Sequence, residues 1–132
     1  MPHLQFETTI DLDRAAKHDF ADTVTELYAD HMATGTGHVA VTIHTLADGF
    51  FSLGRLEPDA DAVMLNADIR EGREFEQQRA FVRAAFETAH EQWAIPTANM
   101  YAVVTEHSGE QFHEYDRVLS SWDADETETG AD

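Results

Sequence analysis

Apolar and polar residues alternate through Leu4-Gln5-Phe6-Glu7-Thr8, the period-two signature of a strand with one buried face. The period then lengthens. Ala16, Phe20, Val24, Leu27, Tyr28 and His31 step by three or four, which sets them on one stripe of a helix. Asp11 or Asp13 caps its start, and Gly35 and Gly37 mark its end past about residue 33. A second strand is expected over His38–His44, with Val39, Val41 and Ile43 on one side and Ala40 and Thr42 on the other. Asp48-Gly49, between Leu46 and Phe50-Phe51, is a tight-turn signal that predicts a short extra strand.

The same order then repeats. Val63, Leu65, Ala67 and Ile69 alternate with Met64, Asn66 and Asp68 as a third strand. A helix follows from about Arg73 to Ala94, with Phe75, Val82, Ala85, Phe86, Ala89 and Trp93 inward, and Ile95-Pro96 stops it. Tyr101–Thr105 form the closing strand. The fold class is therefore α+β: two β-α-β repeats forming one four-stranded sheet with two helices on one face. One domain spans residues 1–119, with repeat one over about 2–53, repeat two over about 62–106 and a C-terminal segment over 107–119. Residues 120–132 are expected to be an acidic, disordered tail. The other sheet face, carrying Ala40, Thr42, Met64 and Val103, needs a second cover, most simply an identical subunit.

A length of 132 residues fits one domain, and 42% hydrophobic with 26% charged residues is globular composition. No apolar run approaches the roughly 18 residues of a membrane span, and no secretory leader opens the chain, so a cytoplasmic protein is expected. There is no cysteine, which removes disulfides, thiolate metal sites and cysteine nucleophiles. A net charge of −18 makes nucleic acid a poor partner. The last ten residues hold five acids, yet the rest of the chain stays acidic without them. Lys17 is the single lysine. A carboxylate-rich, lysine-poor surface suits concentrated salt, where screening removes self-repulsion, and an ordinary acidic protein remains the alternative.

Three places offer chemistry. Removal of Met1 turns Pro2 into an N-terminal secondary amine opening a strand, where α-amino groups titrate near neutrality and can move a proton or attack a carbonyl. Pro2 alone is a weak signal, because many chains begin Met-Pro for no catalytic reason. Arg70-Glu71-Gly72-Arg73 places two of only eight cationic side chains within four residues, beside a glycine and a helix start. That grouping suits a small carboxylate gripped bidentately, or else ion pairs with Glu71, Glu74 and Glu76. Glu114 beside Tyr115 can activate water or orient a substrate, although an ordinary surface acid is the commoner case. Eight histidines form neither His-x-His nor His-Glu-x-x-His, so no metal site is expected. No glycine fingerprint for a nucleotide cofactor is present either.

Taken together, Pro2 opening a strand, the doubled strand-helix-strand order, Ala-Lys-His at 16–18, Arg-Glu-Gly-Arg at 70–73 and Glu-Tyr-x-Arg at 114–117 resemble the tautomerase superfamily. The similarity is strongest to its cis-3-chloroacrylic acid dehalogenase branch and covers about residues 2–119. The resemblance implies that Pro2 is the acid-base residue, that Arg70 and Arg73 hold a substrate carboxylate and that Glu114 activates water. The family's helix histidine falls at Tyr28, with His31 one turn on as a substitute. Its strand tyrosine falls at Val103, with Tyr101 two residues earlier on the same face. The implied activity is keto-enol tautomerisation, or hydration and hydrolytic dehalogenation, of a small unsaturated acid. No cofactor is implied, and family members are typically homotrimers. A non-catalytic anion binder and a purely structural oligomer are the alternatives.

Overall fold

The computed structural model describes residues 2–46 and 50–125. The Asp48-Gly49 turn and most of the acidic tail lie outside the described residues. The elements are β1 (His3–Thr8), α1 (Arg14–His31), β2 (Ala40–Thr45), β3 (Val63–Arg70), α2 (Phe75–Trp93) and β4 (Met100–His107). They form one four-stranded sheet in the order β2-β1-β3-β4. β1 and β2 are parallel and enclose α1, and β3 and β4 are parallel and enclose α2. The two halves meet through the antiparallel pair β1-β3, with His3 opposite Asp68 and Thr8 opposite Val63. This arrangement brings the first residues of β1 and β2 and the last residues of β3 and β4 to the same end of the sheet.

Local chemistry explains the elements. Asp13 Oδ1 accepts from the Ala16 amide at 2.8 Å and caps α1. Phe20, Val24 and Tyr28, each four residues on, are its buried stripe. Ala94 ends α2 in the left-handed region (φ 56°), its amide bonded to the His90 carbonyl, and Pro96 prevents the helix from resuming. β1 turns Leu4, Phe6 and Thr8 toward the helices, where Phe6 meets Phe20 edge-on and Phe20 stacks on Trp93 with ring centres 4.0 Å apart. Val24 is fully buried in this cluster, so Val24→Ala is expected to cost about 2 kcal/mol through lost burial and the residual void. Urea unfolding measures it.

Several boundaries differ from expectation. Phe50-Phe51 forms no strand. Phe75 is not an inner residue: it is 70% exposed, and Phe81 is buried in its stead. α2 begins at Phe75, after Glu74, and helix side chains lean toward the N-terminus, so a first-turn ring overhangs the end of the core. Arg73 therefore precedes the helix rather than opening it. Contacts also continue past Leu119: the Ser120 carbonyl meets Arg70, the last residue of β3, and Trp122 meets Arg73 just after it.

The face away from the helices does carry Ala40, Thr42, Met64 and Val103, but it is more polar than expected. His3 Nε2 hydrogen-bonds Thr42 Oγ1 at 2.8 Å, and His107 Nε2 hydrogen-bonds Asp68 Oδ1 at 2.7 Å. Tyr101 and Val103 are the exposed hydrophobic side chains of β4 there. Among the described residues, no helix is long and apolar enough to cross a membrane.

Candidate active site

β3 delivers Arg70 to the sheet end where β1 begins. Its register partner on β4, His107, lies on the helix-free face. Arg70 is nevertheless buried, because the chain beyond β4 folds back over it and Ser120 offers its carbonyl to Nη1 at 2.8 Å. The Glu71 amide bonds the His107 carbonyl, and the Trp122 amide in turn bonds the Glu71 carbonyl at 3.0 Å. Gly72 follows at φ 123°, a conformation few side-chain-bearing residues adopt, and a Cβ there would lie 2.3 Å from the Trp122 carbonyl oxygen. The glycine thus turns the chain and leaves room for the C-terminal strap at once.

That turn aims Arg73 at the end of α1. Its Nε donates to the Met32 carbonyl at 2.8 Å, and its guanidinium carbon lies 5.6 Å from the Tyr28 ring centre and 5.0 Å from the Trp122 ring centre. Both arginines are almost fully covered, at 2% and 6% exposure. Burying a guanidinium is costly without compensating partners; the Ser120 and Met32 carbonyls each take a donor, and Arg73 also has two aromatic rings alongside, which points to a built site rather than a solvated loop.

Pro2 stands one residue ahead of the His3–Asp68 pair at this same sheet end. It is buried, and its carbonyl accepts from the Ala40 amide at 3.1 Å. Two residues before Ala40, His38 contacts the Glu114 carboxylate through Nδ1. Glu114 is held in a small turn, its amide bonded to the Arg117 carbonyl at 2.8 Å beside a bridge between His113 and Val118. The β2 approach therefore links Glu114 to the strand that carries Pro2.

The structure brings Pro2, Arg70, Arg73, Tyr28 and Glu114 to one end of the fold. His31 closes α1 just ahead of Met32 and is half-buried there. Tyr101 is not brought in by its own chain. It pairs with Met64, six positions before the His107–Arg70 pair, about 20 Å along the strand. Lys17 and His18 lie in the first turns of α1, at the helix end away from Tyr28. His38 and Trp122 are site neighbours that sequence reasoning missed. His38 read as the first residue of a strand, and Trp122 is followed at once by the acidic residues that mark a solvated tail. Among the described residues, no group of three or more histidine or carboxylate side chains is placed to hold a metal ion.

No family model matches the chain by sequence, and no curated protein matches it. Solved structures do. A protein designated N1, a member of the cis-3-chloroacrylic acid dehalogenase family, superposes with a TM-score of 0.79 at 25% identity over 90% of this chain and 84% of its own. A macrophage migration inhibitory factor-like protein from Entamoeba histolytica gives 0.76 at 14% identity, over 89% of this chain and 98% of its own. A fused 4-OT, described as a symmetric trimer, gives 0.72 at 17% identity, over 82% of this chain and 88% of its own. The last two share the fold; the first adds a quarter of the sequence across nearly the whole chain. These likenesses support the tautomerase superfamily, and within it the chain is similar to the cis-3-chloroacrylic acid dehalogenase branch.

Proposed function

We propose that this protein is an enzyme that uses Pro2, freed by removal of Met1, as the acid-base group on a small carboxylate substrate. The observation that carries this reading is that β1, β2 and β3 deliver Pro2, the Glu114 contact and the two buried arginines to one sheet end. Arg70 and Arg73 bind the carboxylate by charge-assisted hydrogen bonds, and the Tyr28 hydroxyl is a further donor.

Two reactions fit these roles. As a neutral amine, Pro2 removes a proton from an enol or keto acid and returns it at another atom of the same substrate, leaving the bonds to heavy atoms intact. As an ammonium, it donates a proton to one carbon of the double bond, while Glu114 takes a proton from water and the resulting oxygen adds to the other carbon. With a halogen on that second carbon, the adduct then expels halide. The protonation state of Pro2 selects between the two.

Activity on phenylenolpyruvate, 2-hydroxymuconate and 3-haloacrylates tests the reading. Glu114→Gln separates the chemistries: hydration is expected to fall about a hundredfold, the scale of losing one general base, with tautomerisation largely kept. The pH profile of kcat/KM gives a second separation, rising with pH if Pro2 is the base and falling if it is the acid. Carboxylate binding lost in Arg73→Ala, with no turnover of any of these acids, supports a non-catalytic anion binder.

We further propose that the chain assembles as a homotrimer through its helix-free sheet face. The exposed Tyr101 and Val103 support this, as does the symmetric trimer of the fused 4-OT. In such an assembly Tyr101 reaches a substrate only from a neighbouring subunit. Sedimentation equilibrium gives the subunit number.

A further inference from the structure

We infer that Trp122 is the positioning residue of the anion site: its indole holds the Arg73 guanidinium in place for the substrate carboxylate. This rests on the arginine reading above and goes beyond it, because the C-terminal strap becomes part of the binding apparatus.

Arg73 needs such a support. It immediately precedes Glu74, the N-cap of α2, where the helix dipole disfavours a cation. The Met32 carbonyl takes one donor, Nε. Its guanidinium carbon also lies near two rings, of which Trp122 is the nearer, its indole being the stronger cation acceptor of the two.

Trp122 is itself fixed from three sides. Its amide donates to Glu71, its Nε1 donates to the Ala33 carbonyl at 3.0 Å, and its carbonyl sits in the space left by the missing side chain of Gly72. Ala33 has φ 50°, an unusual conformation for a residue with a side chain, held in the turn whose carbonyl receives the indole. A second glycine serves the same strap: a Cβ on Gly109 would lie 2.2 Å from the Ser120 carbonyl oxygen. Neither the left-handed alanine nor the two close glycine contacts is needed by a solvated tail. All three suit a segment seated in one place, with Ser120 on Arg70 and Trp122 on Arg73.

Calorimetric titration of the intact protein with malonate tests the inference without requiring turnover. Trp122→Ala is expected to weaken binding about tenfold, within the range of a desolvated cation–π contact, and Trp122→Phe to recover most of it by restoring a ring. With an accepted substrate, the loss appears in KM while kcat stays within about twofold, the pattern of lost ground-state binding. Should Trp122→Ala fail to fold, Trp93→Phe leaves Trp122 as the single indole. Its emission is then expected to shift with malonate at the calorimetric midpoint. Unchanged malonate affinity in Trp122→Ala, or unchanged Trp122 emission at saturation, overturns the inference while Arg73→Ala still abolishes binding. If Arg73→Ala binds malonate as well as the unaltered protein, or the unaltered protein does not bind it, the anion reading falls first and takes this one with it.

Discussion

Pro2→Ala is expected to lower kcat/KM by about 10²–10⁴-fold, the usual span for loss of a positioned acid-base group. The replacement keeps an α-amino group, so the fall measures what the secondary, ring-held nitrogen adds in basicity and orientation. Folding is expected to be unaffected. The Pro2 carbonyl, which receives the Ala40 amide, survives the change. Equal melting temperatures with unequal turnover would assign the loss to chemistry. Turnover equal to that of the unaltered protein would remove Pro2 from the mechanism.

Arg73→Ala has two expected effects that can be measured apart. Hydrogen bonds to a charged group contribute about 1.5–3 kcal/mol each, so losing a two-pronged grip on the carboxylate lowers kcat/KM by about 10²–10⁴-fold. Stability falls by about 1–3 kcal/mol, because the Met32 carbonyl loses a donor and the space between the Tyr28 and Trp122 rings is left unfilled. Arg73→Lys is expected to restore little of either, since an ammonium neither forks onto a carboxylate nor spreads over two rings. Kinetics and urea melts on the same preparations give both numbers.

Much of the fold was legible because the inner sheet face is so consistently apolar. Leu4-Phe6-Thr8 and Val63-Leu65-Ala67-Ile69 can hide only one way, and Phe20-Val24-Tyr28 can face only one side of a helix. Alternation has no direction, however. That β1 and β3 run antiparallel at the centre, bringing Pro2 to the Arg70 end, is decided by long-range pairing which no local pattern records. Phe75 and Val82 lie seven residues apart on the same helix face, so period alone cannot separate them; the end of the core does. At the site, the arginines stood out in a cation-poor chain, and Gly72 between them marked a turn. His38 and Trp122 did not. The Trp122 indole bonds a carbonyl 89 residues earlier in the chain, and local composition around it speaks only of solvent.

A reactive amine at Pro2 served by two guanidiniums is tested most directly by bromopyruvate labelling followed by intact-mass and peptide analysis. The chain has no cysteine, so the usual competitor for alkylation is absent. If Pro2 and the two arginines act as proposed, the Pro2 nitrogen attacks the bromine-bearing carbon, bromide leaves and the nitrogen releases its proton, with the carboxylate held by the arginines. The expected result is chains that lack Met1, carry one pyruvyl group on Pro2 and are protected by malonate. Chains that retain Met1, or label spread over Lys17 and the histidines with no protection by malonate, would contradict it.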